Sequence, residues 1–208
     1  MSVKCFHKFI NFLFYLPLGG QKAFYNKCTD FAGLNAGDIV LDVCCGTGKM
    51  EETIAARGIE VNIIGIDISG QAIKESEEKN RNVSASFIKA NASDLPFQSS
   101  RFDKSIICFG LHHIPSRVRK QALKEIHRTL ASEGTLTIID YNLPKRGLRR
   151  IAAATIAKLD NKAEPYRMLK GGKLKRELEE AQFKIVERVL VYRGTVQLLK
   201  AINRQHDI

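Results

Sequence analysis

The run Ile39-Val40-Leu41-Asp42-Val43-Cys44-Cys45-Gly46-Thr47-Gly48 leaves this chain few folds to choose from. Residues 39–43 are apolar apart from Asp42, and so short a run suits a strand buried in a parallel sheet. Gly46 and Gly48 then let the backbone turn sharply and approach a ligand with no Cβ in the way. Lys49 to Arg57 reads as a helix, so its first N–H groups point into the same turn. A second apolar run, Val61 to Ile66, ends in Asp67, about twenty residues past the glycines, where a carboxylate can accept both hydroxyls of a ribose. Strand, glycine turn, helix, strand and acid make one half of a nucleoside site.

Glycine spacing separates two ligand classes. A dinucleotide turn of the G-x-G-x-x-G type needs a third glycine at position 51, where helix and pyrophosphate approach closely, and Glu51 stands there instead. Its negative charge opposes a pyrophosphate. Asp42, just before the turn, can hold the ammonium of an amino acid, or it can anchor nearby backbone N–H groups. An amino-acid end together with a ribose describes S-adenosylmethionine.

Six segments carry a resemblance: LDVCCGTG at 41–48, GIDIS at 65–69, KANASDLPF at 89–97, FDKSIICFGLHHI at 102–114, EIHRTLASEGTLTIIDY at 125–141, and ELEEAQFKIVERVLVYRGTVQLLKA at 177–201. In this order and spacing they resemble the class I S-adenosylmethionine-dependent methyltransferases, in the branch of the ubiquinone and menaquinone C-methyltransferases, from about Gly37 to about Ala201. The resemblance implies a donor, S-adenosylmethionine, leaving as S-adenosylhomocysteine. It also implies donor contacts from Asp42, Cys44, Gly46, Thr47, Gly48, Asp67, Ile68, Asn91, Ala92 and Phe109. Asn91 stands where the family more often has Asp; its side-chain oxygen can accept from the adenine amino group while Ala92 supplies a backbone N–H. Ile68 is expected against the adenine face or, alternatively, in the core. Cys44 and Cys45 read as small packing residues in a tight turn, since neither has a second thiol at useful sequence spacing.

Strand and helix patterns alternate, with strands near 39–44, 61–67, 84–89, 103–109 and 134–140 and helices near 48–57, 69–80 and 116–131. Such alternation predicts an α/β fold, a doubly wound, mostly parallel sheet with helices on both faces. Beyond Asp140 come helical patterns at 145–160 and 171–181, then strands near 183–192 and 194–203 with only Arg193 and Gly194 between them. That spacing predicts an antiparallel terminal hairpin and so a seven-stranded, Rossmann-like sheet. The 208 residues, 44% hydrophobic and 26% charged, suit one globular core. The cysteines at 5, 28, 44, 45 and 108 form no C-x-x-C pair and no zinc spacing, so no metal is expected and a reducing cytoplasm is. Lys4 and Lys8 before Phe9 to Leu16 imitate a secretory signal, but Asn11 and Pro17 interrupt the apolar run and no small-x-small site follows.

The net charge of +11 is uneven. Residues 145–176 hold eleven Lys or Arg against Asp160 and Glu164, and residues 1–28 hold Lys4, Lys8, Lys22 and Lys27 with no acid. The expected organisation is therefore an N-terminal segment, 1–36, and a methyltransferase domain, 37–208, carrying a basic helical insertion at 145–176. In the family these two segments cover the acceptor side. Leu148, Ile151, Ala152, Thr155, Ile156 and Leu159 fall at helical spacing with Arg149, Arg150 and Lys158 off the stripe. Such a helix fits an anionic membrane surface, or packs as an ordinary lid with solvated charges. His112 and His113 follow the fourth strand at the sheet's carboxyl edge; either can deprotonate an acceptor, or cap the next helix or line the donor pocket.

The acceptor expected is a small molecule or lipid, a quinol or phenol among them. The quinone enzymes usually carry a Ser-Ile-x-x-Phe-Pro stretch after the insertion, whereas Tyr166 to Gly172 here runs directly into the next helix. Two other classes compete. An RNA or DNA methyltransferase suits the charge, but Phe109-Gly110-Leu111-His112 replaces an N-P-P-Y-like motif. A donor-binding module without turnover would keep the same glycines and Asp67.

Overall fold

The computed structural model describes residues 19–144 and 164–204. In chain order its elements are α1 (Gln21–Ala32), β1 (Ile39–Val43), α2 (Lys49–Ala56), β2 (Asn62–Asp67), α3 (Gly70–Lys79), β3 (Ala85–Lys89) and β4 (Phe102–Cys108). A 3-10 turn, Leu111–His113, leads to α4 (Ser116–Thr129), β5 (Leu130–Tyr141), α5 (Glu164–Leu169), α6 (Lys173–Glu180), β6 (Phe183–Val191) and β7 (Val196–Asn203). The sheet has seven strands in the order β3-β2-β1-β4-β5-β7-β6. Strands β3 to β5 run parallel, and β7 pairs antiparallel with both β5 and β6. This is the doubly wound sheet with a terminal antiparallel hairpin that the periodicity predicts.

Alternation along each strand feeds two cores. Leu41, Val43, Ile107 and Ile138 pack with Leu123 and Ile126 of α4 and Leu174 and Leu178 of α6. On the opposite face Val40, Ile106 and Ile139 pack with Phe24, Cys28 and Ala32 of α1 and Met50 and Ile54 of α2. Helices therefore cover both faces, as a parallel sheet requires. Strand order reverses between β1 and β4, which opens a crevice at their carboxyl ends where ligands bind in open α/β sheets.

Several boundaries differ from the sequence reading. The predicted strand at 134–140 begins at Leu130, directly after α4, with a register shift against β4 between Phe102 and Lys104. Asn203 secures that junction, its amide donating to the carbonyls of His127, Leu130 and Ala131 at 3.0, 2.9 and 3.1 Å. The predicted two-residue hairpin loop is the 3-10 turn Tyr192–Gly194 plus Thr195, with Tyr192 and Arg193 at φ 53 and 60. Helix α1 was not among the predicted helices; Phe24 and Cys28, four apart, were its signal. The predicted helix at 145–160, most of the basic insertion and residues 1–18 lie outside the described residues. Among those described, no helix is long and apolar enough to cross a membrane.

Candidate functional site

β1 and β2 deliver the glycine turn to the crevice. Cys45 N–H donates to the Ile66 carbonyl at 2.9 Å and Gly48 N–H to the Cys45 carbonyl at 3.1 Å, closing the turn against β2. The Asp67 carboxylate braces it, accepting from Gly46 N–H at 3.1 Å and Ser69 N–H at 2.8 Å. The Ser69 hydroxyl caps α3 by accepting from Ala72 N–H at 3.2 Å, so Asp67 is not the cap.

The two glycines are needed for different reasons. Both adopt positive φ, and a Cβ at Gly46 would meet nothing within 4 Å, so that α-carbon faces open space which a ligand can enter. A Cβ at Gly48 would run into the Asn80 amide and stand 3.0 Å from the Phe87 ring, so Gly48 makes room for α3 and β3. Thr47 lies between them. Ile68 is 68% exposed beside Asp67, which removes the core-packing alternative. Asn91 Oδ1 accepts from Ser93 N–H at 3.0 Å and the Ser93 hydroxyl at 2.9 Å, so an adenine amino group would have to share or displace them. Ala92, next to it, is buried.

The turn's thiols are protected. Burial, reinforced by Asp67 and Asp42, pushes the Cys44 thiol up to about 12. Burial, followed by Asp42 and Glu51, drives Cys45 further still. Cys44 takes φ 60, and its Cβ occupies the space that a side chain at Gly110 would need. Packing is the role this arrangement supports.

At the carboxyl edge of β4 the sequence reading stops one residue short. His112 is 2% exposed, and its Nδ1 lies 2.7 Å from Oδ1 of the buried Asp140 at the end of β5. Asp140 also accepts from the backbone N–H of His112 at 3.2 Å and of Tyr141 at 2.7 Å. A carboxylate at Nδ1 selects the tautomer that is protonated there and basic at Nε2. His113 is exposed, its ring 4.0 Å from that of His112. Phe109, at φ 53, stacks on Phe24 of α1 at 5.4 Å and leans on Tyr141 at 5.2 Å, so aromatic rings line this side. Asp140 was discoverable: like Asp67, it is an acid that closes a buried apolar run.

Glu51 is the second residue the sequence misplaces. It is no charge facing the turn; it is fully buried, with neither carboxylate oxygen receiving a donor, beside Asp42. The cause is tertiary: Gly65, opposite Asp42 on β2, leaves the space the Glu51 carboxyl fills.

Sheet order and glycine turn define the Rossmann-like fold of the class I S-adenosylmethionine-dependent methyltransferases. Residues 40–134, a little under half of the chain, match the family described as a methyltransferase domain. It is 28% identical over 135 residues to a 2-phytyl-1,4-naphtoquinone methyltransferase of Nostoc sp., covering 62% of this chain and 58% of that one. Over 149 residues it is 30% identical to a demethylmenaquinone methyltransferase of Lactobacillus johnsonii, covering 69% and 60%. The chain thus spans little more than half the length of these curated relatives. Among solved structures it is similar to a S-adenosylmethionine-dependent methyltransferase of Methanosarcina mazei, with TM-score 0.67, 22% identity and coverage of 83% and 95%. It is also similar to the [4+2]-cyclase SpnF, with TM-score 0.70, 19% identity and coverage of 88% and 80%.

Proposed function

We propose that this protein transfers the methyl group of S-adenosylmethionine to a small aromatic acceptor, a quinol of the naphthoquinone type. The observation that carries the reading is the buried His112–Asp140 pair at the carboxyl edge of β4 and β5. The acceptor class rests on the names of the quinone methyltransferase relatives.

The donor supplies a methyl that is already electrophilic on its sulfonium, so the protein's work is alignment, worth up to roughly 7–11 kcal/mol. Asp67 and the open face of Gly46 receive the nucleoside, with Ile68 against its base. His112 takes the acceptor hydroxyl proton on Nε2, Asp140 stabilises the imidazolium, and the freed electron pair makes an acceptor ring carbon nucleophilic. Phe109 and Tyr141 flank His112 and suit a flat aromatic ring.

A tritiated-methyl transfer screen across reduced naphthoquinones, lipid extract and RNA tests the acceptor; label appearing in RNA alone would replace this reading with the nucleic-acid one. His112→Ala and Asp140→Asn should each lower turnover about 10²–10⁴-fold while S-adenosylhomocysteine affinity stays within about twofold. Full turnover in His112→Ala and in His113→Ala would remove the base. The second reading is donor binding without methyl transfer, and a screen in which no fraction takes the label would support it. We further propose a cytoplasmic protein that associates peripherally with anionic membrane through its basic segments. Flotation with anionic vesicles should weaken on charge reversal at Arg149 and Arg150; no flotation of the wild type discards the idea.

A further inference from the structure

Beneath the glycine turn two acids meet with no base between them. Asp42, near the end of β1, is 2% exposed, and Glu51, in the first turn of α2, is fully buried. Asp42 Oδ1 and both Glu51 oxygens receive no donor, and Glu51 Oε1 fills the space over Gly65, the residue opposite Asp42 on β2, so the two carboxyls sit side by side. A hydrogen bond between them requires one of them to be protonated. The charged groups acting on Asp42 are Glu51 and Asp67, both acids. From the elements packed around the pair come thiols, Cys45 beside Glu51 and Cys108 at the end of β4, and, near the turn, the amide of Asn80, just past the end of α3. A Cβ at Gly65 would stand 2.5 Å from Glu51 Oε1 and 2.9 Å from Cys45 Sγ, so the fold keeps a glycine where Glu51 needs space. Two carboxylates this close in a dry site do not both ionise, so the pair keeps a proton that belongs to both.

We propose that the Asp42–Glu51 pair is a proton-exchange site for the amino-acid end of the donor. The incoming ammonium donates to the Asp42 carboxylate, the O–H bond of the pair breaks, and its proton passes to the buffer, so donor binding and proton release are one event. The proposal rests on the methyl-donor reading above and adds Glu51 to the residues that set donor affinity. Its ligand class is a nucleoside carrying a protonated α-amine.

Calorimetry of S-adenosylhomocysteine binding at pH 6, in two buffers of different ionisation enthalpy, reads the proton directly. The wild type should release close to one proton per ligand, and 5′-methylthioadenosine, which lacks the amino-acid end, should release none. Affinity for S-adenosylhomocysteine should rise with pH by up to about tenfold per unit while the pair stays protonated. Glu51→Gln places an amide N–H against Asp42 and should cut the release below about half and flatten the pH profile. Asp42→Asn should abolish it, and serves if the first variant folds poorly. Wild-type binding without proton release, or an unchanged release in Glu51→Gln, overturns the exchange site and leaves the donor reading standing. Failure of the wild type to bind S-adenosylhomocysteine overturns both.

Discussion

Gly46 and Gly48 look alike in the sequence and differ in the fold. Each holds a positive φ, at 57 and 74, which an L side chain occupies at a cost of about 1–2 kcal/mol. Gly46 faces open space, so Gly46→Ala should weaken S-adenosylhomocysteine binding several-fold while lowering the melting temperature only modestly. Gly48→Ala adds a collision with Asn80 and Phe87, so its melting temperature should fall further. Paired thermal melts and calorimetry distinguish the two, and equal melting temperatures would contradict this division of roles. The positions of Asp67, Ile68 and the glycines were legible because each lies within a few residues of a strand end. Glu51 was not, because its neighbours Asp42 and Gly65 come from two other elements.

Among the elements, α4 and α6 are joined by a buried ion pair that no local pattern announces. Arg119 donates to Glu177 from Nε at 2.7 Å and Nη2 at 3.1 Å, and from Nη1 to the Ile114 carbonyl at 2.7 Å. The Ser116 hydroxyl donates to the same carboxylate at 2.9 Å, so one acid ties the start of α4 to α6. Glu177→Ala removes both carboxylate bonds from a buried guanidinium and should cost about 3–5 kcal/mol in urea unfolding. A loss under about 1 kcal/mol would mean that water reaches Arg119. On sequence alone Arg119 and Glu177 belong to ordinary charged helix faces. Helix α1 was hidden for a related reason: its polar residues outnumber its buried ones, and only the cluster with Phe109 and Tyr192 reveals its partner.

The acid pair reaches the stability of the molecule as a whole. Burial raises the Glu51 carboxyl from its ordinary 4.5 to about 7, so the folded protein holds that proton more tightly than the unfolded chain. The stabilisation is whole below the ordinary value, declines as pH rises and is gone once pH passes the folded value. Urea unfolding of the ligand-free protein at pH 5 and pH 8 should show the wild type losing stability, on the order of 2 kcal/mol, relative to Glu51→Gln. Parallel pH curves for the two proteins would rule out a shared buried proton.

Strand periods, the paired glycines and the acids ending apolar runs determined the doubly wound sheet, its terminal hairpin and the place of the glycine turn, because backbone geometry and alternation act over a few residues. Tertiary structure decided which side chains meet: His112 with Asp140, Asp42 with Glu51 over Gly65, Arg119 with Glu177. Each pairing joins different elements, and its energy depends on a dryness that exists only once both faces of the sheet are covered.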